Sequence, residues 1–149
     1  MARQARLGWR FGLHTINKMI IVDSSVWIDY FNGTPTAQTN KLDALLGVEP
    51  LAVGDIVLTE VLQGFARDVD FNRAKKLFSG FVLFEMLGEK NALKAAENFR
   101  TLRKQGITVR KTIDCVIATF CIENNHLLLF QDKDFNPFVE KLGLKPVLT

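Results

Sequence analysis

A chain of 149 residues, 48% hydrophobic and 23% charged, is long enough for one domain with its own core and too short for two of ordinary size. That composition excludes collagen-like, coiled-coil and disordered chains, and no apolar run approaches the ~18 residues of a membrane helix. The formal charge of +3 suggests a basic protein, but its placement decides what it means.

Residues 1–18 carry Arg3, Arg6, Arg10 and Lys18 and no acid, which leaves 15 bases against 16 acids over 19–149. The isoelectric point therefore says little about nucleic acid. We take 1–18 as a basic leader, a translation artefact or a dispensable arm, and 19–149 as the folded domain. The leader lacks the apolar core of a secretory signal, which argues for the cytoplasm.

Met19-Ile20-Ile21-Val22 is a short β-branched run that ends at Asp23-Ser24-Ser25. Val26, Trp27, Ile28, Tyr30 and Phe31 then take helical spacing, so strand, turn and helix are predicted, with Ser24 or Ser25 as N-cap. After the break at Gly33-Thr34-Pro35-Thr36, Leu42, Leu45 and Leu46 mark a second helix ending at Gly47. Leu51-Ala52-Val53 is a second strand. Asp55 reads as the cap of a helix carrying Val57, Leu58, Val61, Leu62 and Phe65, and Phe71, Ala74, Leu77 and Phe78 mark another.

A third strand is predicted at Phe81 to Phe84, and the longest helical pattern from about Glu89 to Lys104, stopping at Gly106. Thr112 then caps a helix with Ile113, Val116, Ile117 and Phe120 inward. Cys115 and Cys121 fall in that helix, about 9 Å apart and beyond disulfide reach, as reduced cytoplasmic thiols would be. Leu127 to Phe130 is the fourth strand, with His126 in the loop before it. A short helix from about Phe135 to Leu142 and an edge strand around Pro146-Val147 close the chain. Apolar strands without alternation, separated by helices, indicate a mainly parallel sheet covered on both faces, a three-layer α/β/α sandwich.

In such sheets ligands bind beyond the carboxyl ends of the strands. Asp23 follows the first strand directly, and Asp132 follows the fourth after Gln131. Glu60 and Asp114 sit beside strongly apolar positions, where a carboxylate is costly to bury unless it is paired or binds a cation. Taken singly these acids are uninformative. Asp114 is as well explained by the dipole of its helix's first turn, and Asp29, Asp43, Asp68 and Asp70 read as solvated or capping.

The ordered set says more. Val22-Asp23-Ser24-Ser25-Val26-Trp27-Ile28, Thr59-Glu60-Val61-Leu62-Gln63-Gly64, Thr112-Ile113-Asp114-Cys115-Val116-Ile117-Ala118 and Asp132-Lys133-Asp134-Phe135 closely resemble the PIN-domain nucleases, and among them the VapC-type toxins of bacterial toxin–antitoxin pairs. The resemblance spans residues 19 to about 147. It implies a PIN-like fold and makes Asp23, Glu60, Asp114 and Asp132 the catalytic quartet. Asp23, Asp114, Asp132 and Asp134 become the metal ligands, with Ser25 as a supporting polar residue. One departure is Phe130-Gln131, where relatives often carry a small polar residue before the last acid; it leaves the roles of Asp132 and Asp134 to be divided.

Four converging carboxylates would raise one another's pKa unless divalent cations neutralise them. Oxygen donors suit Mg²⁺ or Mn²⁺ rather than Zn²⁺. With His126 the only histidine outside the leader, a metal rather than a His base would have to activate water.

Between Lys94 and Lys111, six bases stand against the single acid Glu97. This stretch is either a solvated face or a phosphate-contacting edge, from which Arg103, Arg110 and Lys111 are the RNA-binding candidates. Trp27, Tyr30 and Phe31 read as core or dimer surface rather than base-stacking groups.

The resemblance thus implies an Mg²⁺- or Mn²⁺-dependent endoribonuclease acting as a cytoplasmic toxin. It would cleave structured RNA such as tRNA or rRNA and so inhibit translation, be restrained by a small VapB-like antitoxin, form a homodimer and stay off membranes. The alternative is a PIN-like RNA-processing or non-catalytic RNA-binding module. A phosphoacceptor domain is disfavoured, because Asp23-Ser24-Ser25 lacks the second acid of an Asp-x-Asp phosphatase.

Overall fold

The computed structural model describes residues 18–148; the expected leader, apart from Lys18, lies outside the described residues. β1 (Ile20–Val22), β2 (Leu51–Gly54), β3 (Val82–Phe84), β4 (Leu127–Leu129) and β5 (Lys145–Pro146) form a single sheet in the order β3-β2-β1-β4-β5. Every pairing is parallel, with Ile21 opposite Ala52 on one side and Leu128 on the other. The near-continuous apolar runs of β1, β2 and β4 are explained by this, since a central parallel strand is covered on both faces.

The helices are α1 (Ser24–Phe31), α2 (Ala37–Leu45), α3 (Asp55–Leu62), α4 (Asp68–Phe78), α5 (Glu89–Lys104), α6 (Thr112–Glu123) and α7 (Asn136–Leu142), with a 3₁₀ turn at Lys133–Phe135. α1 packs on α2 and α3, and α3 on α4, whereas α5 packs on α6 and α7. Right-handed crossovers account for this division. The chain moves outward from β1 through β2 to β3 along one face, then returns over the other face through α5 and α6 to β4. The result is the expected three-layer α/β/α sandwich.

Two clusters fill the layers. Trp27 is fully buried, stacked on Phe31 at 5.9 Å and edge-on to Phe78 at 4.9 Å. Phe65 meets Phe31 at 5.4 Å. Of the α1 aromatics expected as core or dimer surface, Trp27 is core, and Tyr30 and Phe31 are half-buried against it. On the other face α6 is buried from Asp114 through Cys121, and its one buried hydroxyl, Thr119, accepts a hydrogen bond from Asn98 at 3.0 Å. Cys115 and Cys121 are both buried free thiols.

Several local expectations are corrected. The N-cap of α1 is Asp23, not Ser24 or Ser25, because the chain is still extended there and the carboxylate accepts the Ser25 N–H. Lys111, not Thr112, is the N-cap of α6, and Ile113 is 41% exposed rather than inward. α3 ends at Leu62, so Phe65 reaches the core from the following turn. Gly54 caps α3, while the Asp55 carboxylate accepts the N–H of Ile56 at 2.8 Å and of Met86 at 3.0 Å, pinning the loop after β3. Met86 is wholly buried against Gly54, where a Cβ would collide with its sulfur. A glycine is needed there for close approach, not for an unusual φ.

Candidate active site

The sheet order reverses direction between β1 and β4, the neighbouring strands from which the chain departs to opposite sides. That switch point leaves a crevice at the carboxyl ends of the two strands, and the strand ends are laced together by the Asp23 N–H donating to the Leu129 carbonyl at 2.9 Å. Asp23 is the first residue beyond β1 and only 4% exposed. Its Oδ2 accepts the Ser25 hydroxyl at 2.7 Å and the Ser25 N–H at 3.3 Å, so Ser25 holds the acid in place. Burial pushes the Asp23 pKa up, the Ser25 hydrogen bonds oppose the rise, and the charge of Asp132 adds to it.

Asp114 enters from the first turn of α6 and is 7% exposed. Its Oδ2 is buried without a hydrogen-bond partner. Burial, followed by the charge of Asp23, raises its pKa from 3.8 to about 7. Glu60 arrives from α3, with Oε1 likewise buried and unpartnered. Its pKa is raised by burial and by Asp23, against the Ser24 hydroxyl and the charge of Lys111. Ser24, treated in the sequence only as a cap candidate, thus belongs to this neighbourhood; its position beside Asp23 was the available signal.

Asp132 caps the 3₁₀ turn, its Oδ1 accepting the Asp134 N–H at 2.9 Å. This local hydrogen bond brings two acids, separated by one residue, to the same side of the turn. Asp114, Asp132 and Asp134 each offer an oxygen within 4.8 Å of the other two. Neither Asp23 nor Glu60 belongs to that tight group, although both act on Asp114 electrostatically. Asp132 and Asp134 therefore stand together rather than as alternatives. The apolar Phe130 before them packs on Phe135 at 5.2 Å, anchoring the turn that presents both acids.

The donor set is all oxygen, and Asp114, whose buried Oδ2 has no hydrogen-bond partner, is acted on by the like charges of Asp23, Asp132 and Glu60. Such an arrangement is unfavourable by itself and fits a hard divalent cation. His126 plays no part in it: wholly buried, it stacks on Phe84 at 5.0 Å and accepts the Met19 N–H on Nδ1 at 3.1 Å. Burial lowers its pKa, consistent with a neutral structural histidine.

Of the basic candidates, Arg110 and Lys111 lie at the acids. Arg110 Nε is 3.1 Å from Asp134 Oδ2, and Lys111 Nζ is 3.5 Å from Asp132 Oδ2. Arg103, on α5, lies over the Phe99 ring at 5.8 Å, and no described contact links it to the acids.

Comparison with known proteins bears on the family and the fold. The family model described as the PIN domain matches residues 20–140. Curated relatives include the VapC ribonuclease Mb1587 of Mycobacterium bovis, 28% identical over 120 residues that cover 79% of this chain and 90% of the relative. Ribonuclease VapC11 of Mycobacterium tuberculosis matches equally well, at 28% over 120 residues. Among solved structures, VapBC2 from Rickettsia felis bound to a promoter DNA fragment superposes with a TM-score of 0.67 at 20% identity, covering 86% of this chain and 96% of that one. VapBC-1 from nontypeable Haemophilus influenzae gives 0.65 at 20% identity, with coverage of 86% and 96%.

Proposed function

Because the chain belongs to the PIN-domain family, we propose that it is an endoribonuclease dependent on Mg²⁺ or Mn²⁺ and the toxin of a toxin–antitoxin pair. The observation that carries this reading is the gathering of Asp114, Asp132 and Asp134 beside Asp23 and Glu60, where β1 and β4 end. The 28% identity to VapC ribonucleases over most of both chains supports it.

Asp114, Asp132 and Asp134 would hold the cation, with Asp23, whose charge acts on Asp114, as a further carboxylate beside them. When bound, such a cation lowers the pKa of water and neutralises charge on the phosphodiester. Glu60, whose Oε1 is free and whose pKa is raised, can accept a hydrogen bond, and then the proton, from attacking water. Ser25 keeps Asp23 turned toward the site through the 2.7 Å hydrogen bond. Arg110 and Lys111, at the exposed rim, would meet the phosphates of a structured RNA such as tRNA or rRNA, whose cleavage halts translation.

The partner is a small VapB-like antitoxin, supported by structural neighbours that are VapBC assemblies. A cationic side chain from it would enter the acid cluster, where the planar fork of Arg matches paired carboxylates. We take the working form to be a homodimer and, from the two free thiols, the compartment to be the cytoplasm. Among the described residues no helix is long and apolar enough to cross a membrane.

The test is incubation of purified chain with total RNA in EDTA and in Mn²⁺, followed by sequencing of the 5′ ends of the fragments. Discrete cleavage sites only with metal are expected. Intact RNA in both, from folded protein, would favour the non-catalytic binding module.

A further inference from the structure

Lys111 and Arg110 are placed where they cannot serve two purposes at once. Lys111 pairs with Asp132, and its charge also acts on Glu60 and Asp114, so one ammonium faces three of the acids. Arg110 pairs with Asp134 through Nε, the third member of the close oxygen group. Both cations reach the acids from the surface, with side chains 59% and 70% exposed, and neighbour one another in the segment just before α6. Exposed pairs of this kind are weak and exchange readily. The oxygens they occupy, Oδ2 of Asp132 and Oδ2 of Asp134, belong to carboxylates of the only candidate cation group among the described residues. Asp114 is the third member of that group, and its Oδ2 is buried with no hydrogen-bond partner from either base.

From this juxtaposition we infer that Lys111, assisted by Arg110, is a resident counter-ion that a divalent cation must displace, and that its displacement frees both side chains to grip the RNA phosphate. The inference rests on the nuclease reading and deepens it: metal entry and substrate binding become coupled through these two residues. Without metal the bases are spent on the protein's own acids, so the repulsion among the acids is partly offset and RNA is not held firmly. With metal the carboxylates are neutralised by a better partner, and two cations are left at the mouth of the crevice, where a polyanion arrives. A ligand that frees another's binding groups must, by reciprocity, be bound more tightly in that ligand's presence.

The experiment uses the full chain. Mn²⁺ binding in the absence of RNA is followed by the electron paramagnetic resonance of free Mn²⁺ for the unmodified protein, Lys111→Gln, Arg110→Gln and, as a charge control on α4, Lys75→Gln. Removing a competing charge beside a divalent ion should tighten Mn²⁺ binding about fivefold in Lys111→Gln and about twofold in Arg110→Gln; Lys75→Gln should match the unmodified protein. In parallel, the anisotropy of a labelled single-stranded RNA is titrated in EDTA and in Ca²⁺. The gain in RNA affinity on adding Ca²⁺ should shrink about threefold or more in Lys111→Gln.

Unchanged or weaker Mn²⁺ binding in Lys111→Gln would overturn the inference, as would an undiminished gain in RNA affinity. Failure of the unmodified chain to bind Mn²⁺ would instead overturn the metal-dependent reading beneath it, so the two failures are distinguishable.

Discussion

Changing Asp114 to Asn should stabilise the metal-free protein at alkaline pH and flatten the dependence of its stability on pH. The acid is 7% exposed, and burial followed by the charge of Asp23 raises its pKa from 3.8 to about 7. A carboxyl that holds its proton more tightly when folded contributes stability at low pH, and that contribution is lost as pH rises towards the folded pKa. Between pH 5.5 and 8.5 the folded group passes from almost fully protonated to almost fully ionised, while the unfolded group is ionised throughout. The loss comes to about 2 kcal/mol at 1.36 kcal/mol per pKa unit. His126 works with the opposite sign: its pKa is lowered by burial from 6.5, so its contribution is full above that value and is lost as pH falls below it. Comparing protein and variant at both pH values cancels that term. Urea unfolding in EDTA, read by circular dichroism, should therefore show the variant gaining about 2 kcal/mol on the unmodified protein between pH 5.5 and 8.5. A parallel pH dependence in the two proteins would refute the reasoning, and with it the claim that Asp114 is held as an uncompensated buried acid.

Asp23→Asn, Glu60→Gln and Asp114→Asn should each abolish RNA cleavage while keeping the folded circular dichroism spectrum; full activity in any one would remove that residue from the site. Gly54→Ala should destabilise by roughly 1–3 kcal/mol in urea unfolding, because the added Cβ meets the buried Met86 sulfur, and wild-type stability would show that Met86 can move aside. A chain beginning at Met19 should fold and cut RNA as well as the full chain, since β1 starts only at Ile20; a loss of about tenfold would assign the basic segment a part in binding RNA.

The layers were legible because hydrophobic pattern dictates them. The runs at 51–53 and 127–130 carry no alternation, as strands covered on both faces require, and Glu89–Lys104 was bounded as observed by Gly106 with φ of 80°. Local hydrogen bonds were harder to read. Asp23, not a serine, caps α1 because a carboxylate at the strand end can reach the Ser25 N–H, and a propensity scale does not rank those neighbours by where the strand stops. Asp55 looked like a cap and instead holds Met86, 31 residues away, a contact that only the tertiary fold creates. The acids were legible as an ordered set, but not the division within it. That Asp132 and Asp134 stand together depends on a 3₁₀ turn of three residues, too short to leave a periodicity.

The position of the acids in the sheet gives their cost a purpose. Asp23 and Asp132 follow β1 and β4, the adjacent strands at which the chain changes direction, so backbone geometry alone brings the two carboxylates near each other. α3 and α6 then add Glu60 and Asp114 from opposite helical layers, and the apolar packing that fixes those helices also removes water from the acids. The packing raises their pKa values and leaves Oε1 of Glu60 and Oδ2 of Asp114 unsatisfied. A fold selected for stability alone would replace such groups with apolar residues. In the reading proposed above, a cation from solution completes the site. The partial compensation already present, two exposed bases resting on Asp132 and Asp134, is weak enough to be displaced by whatever does.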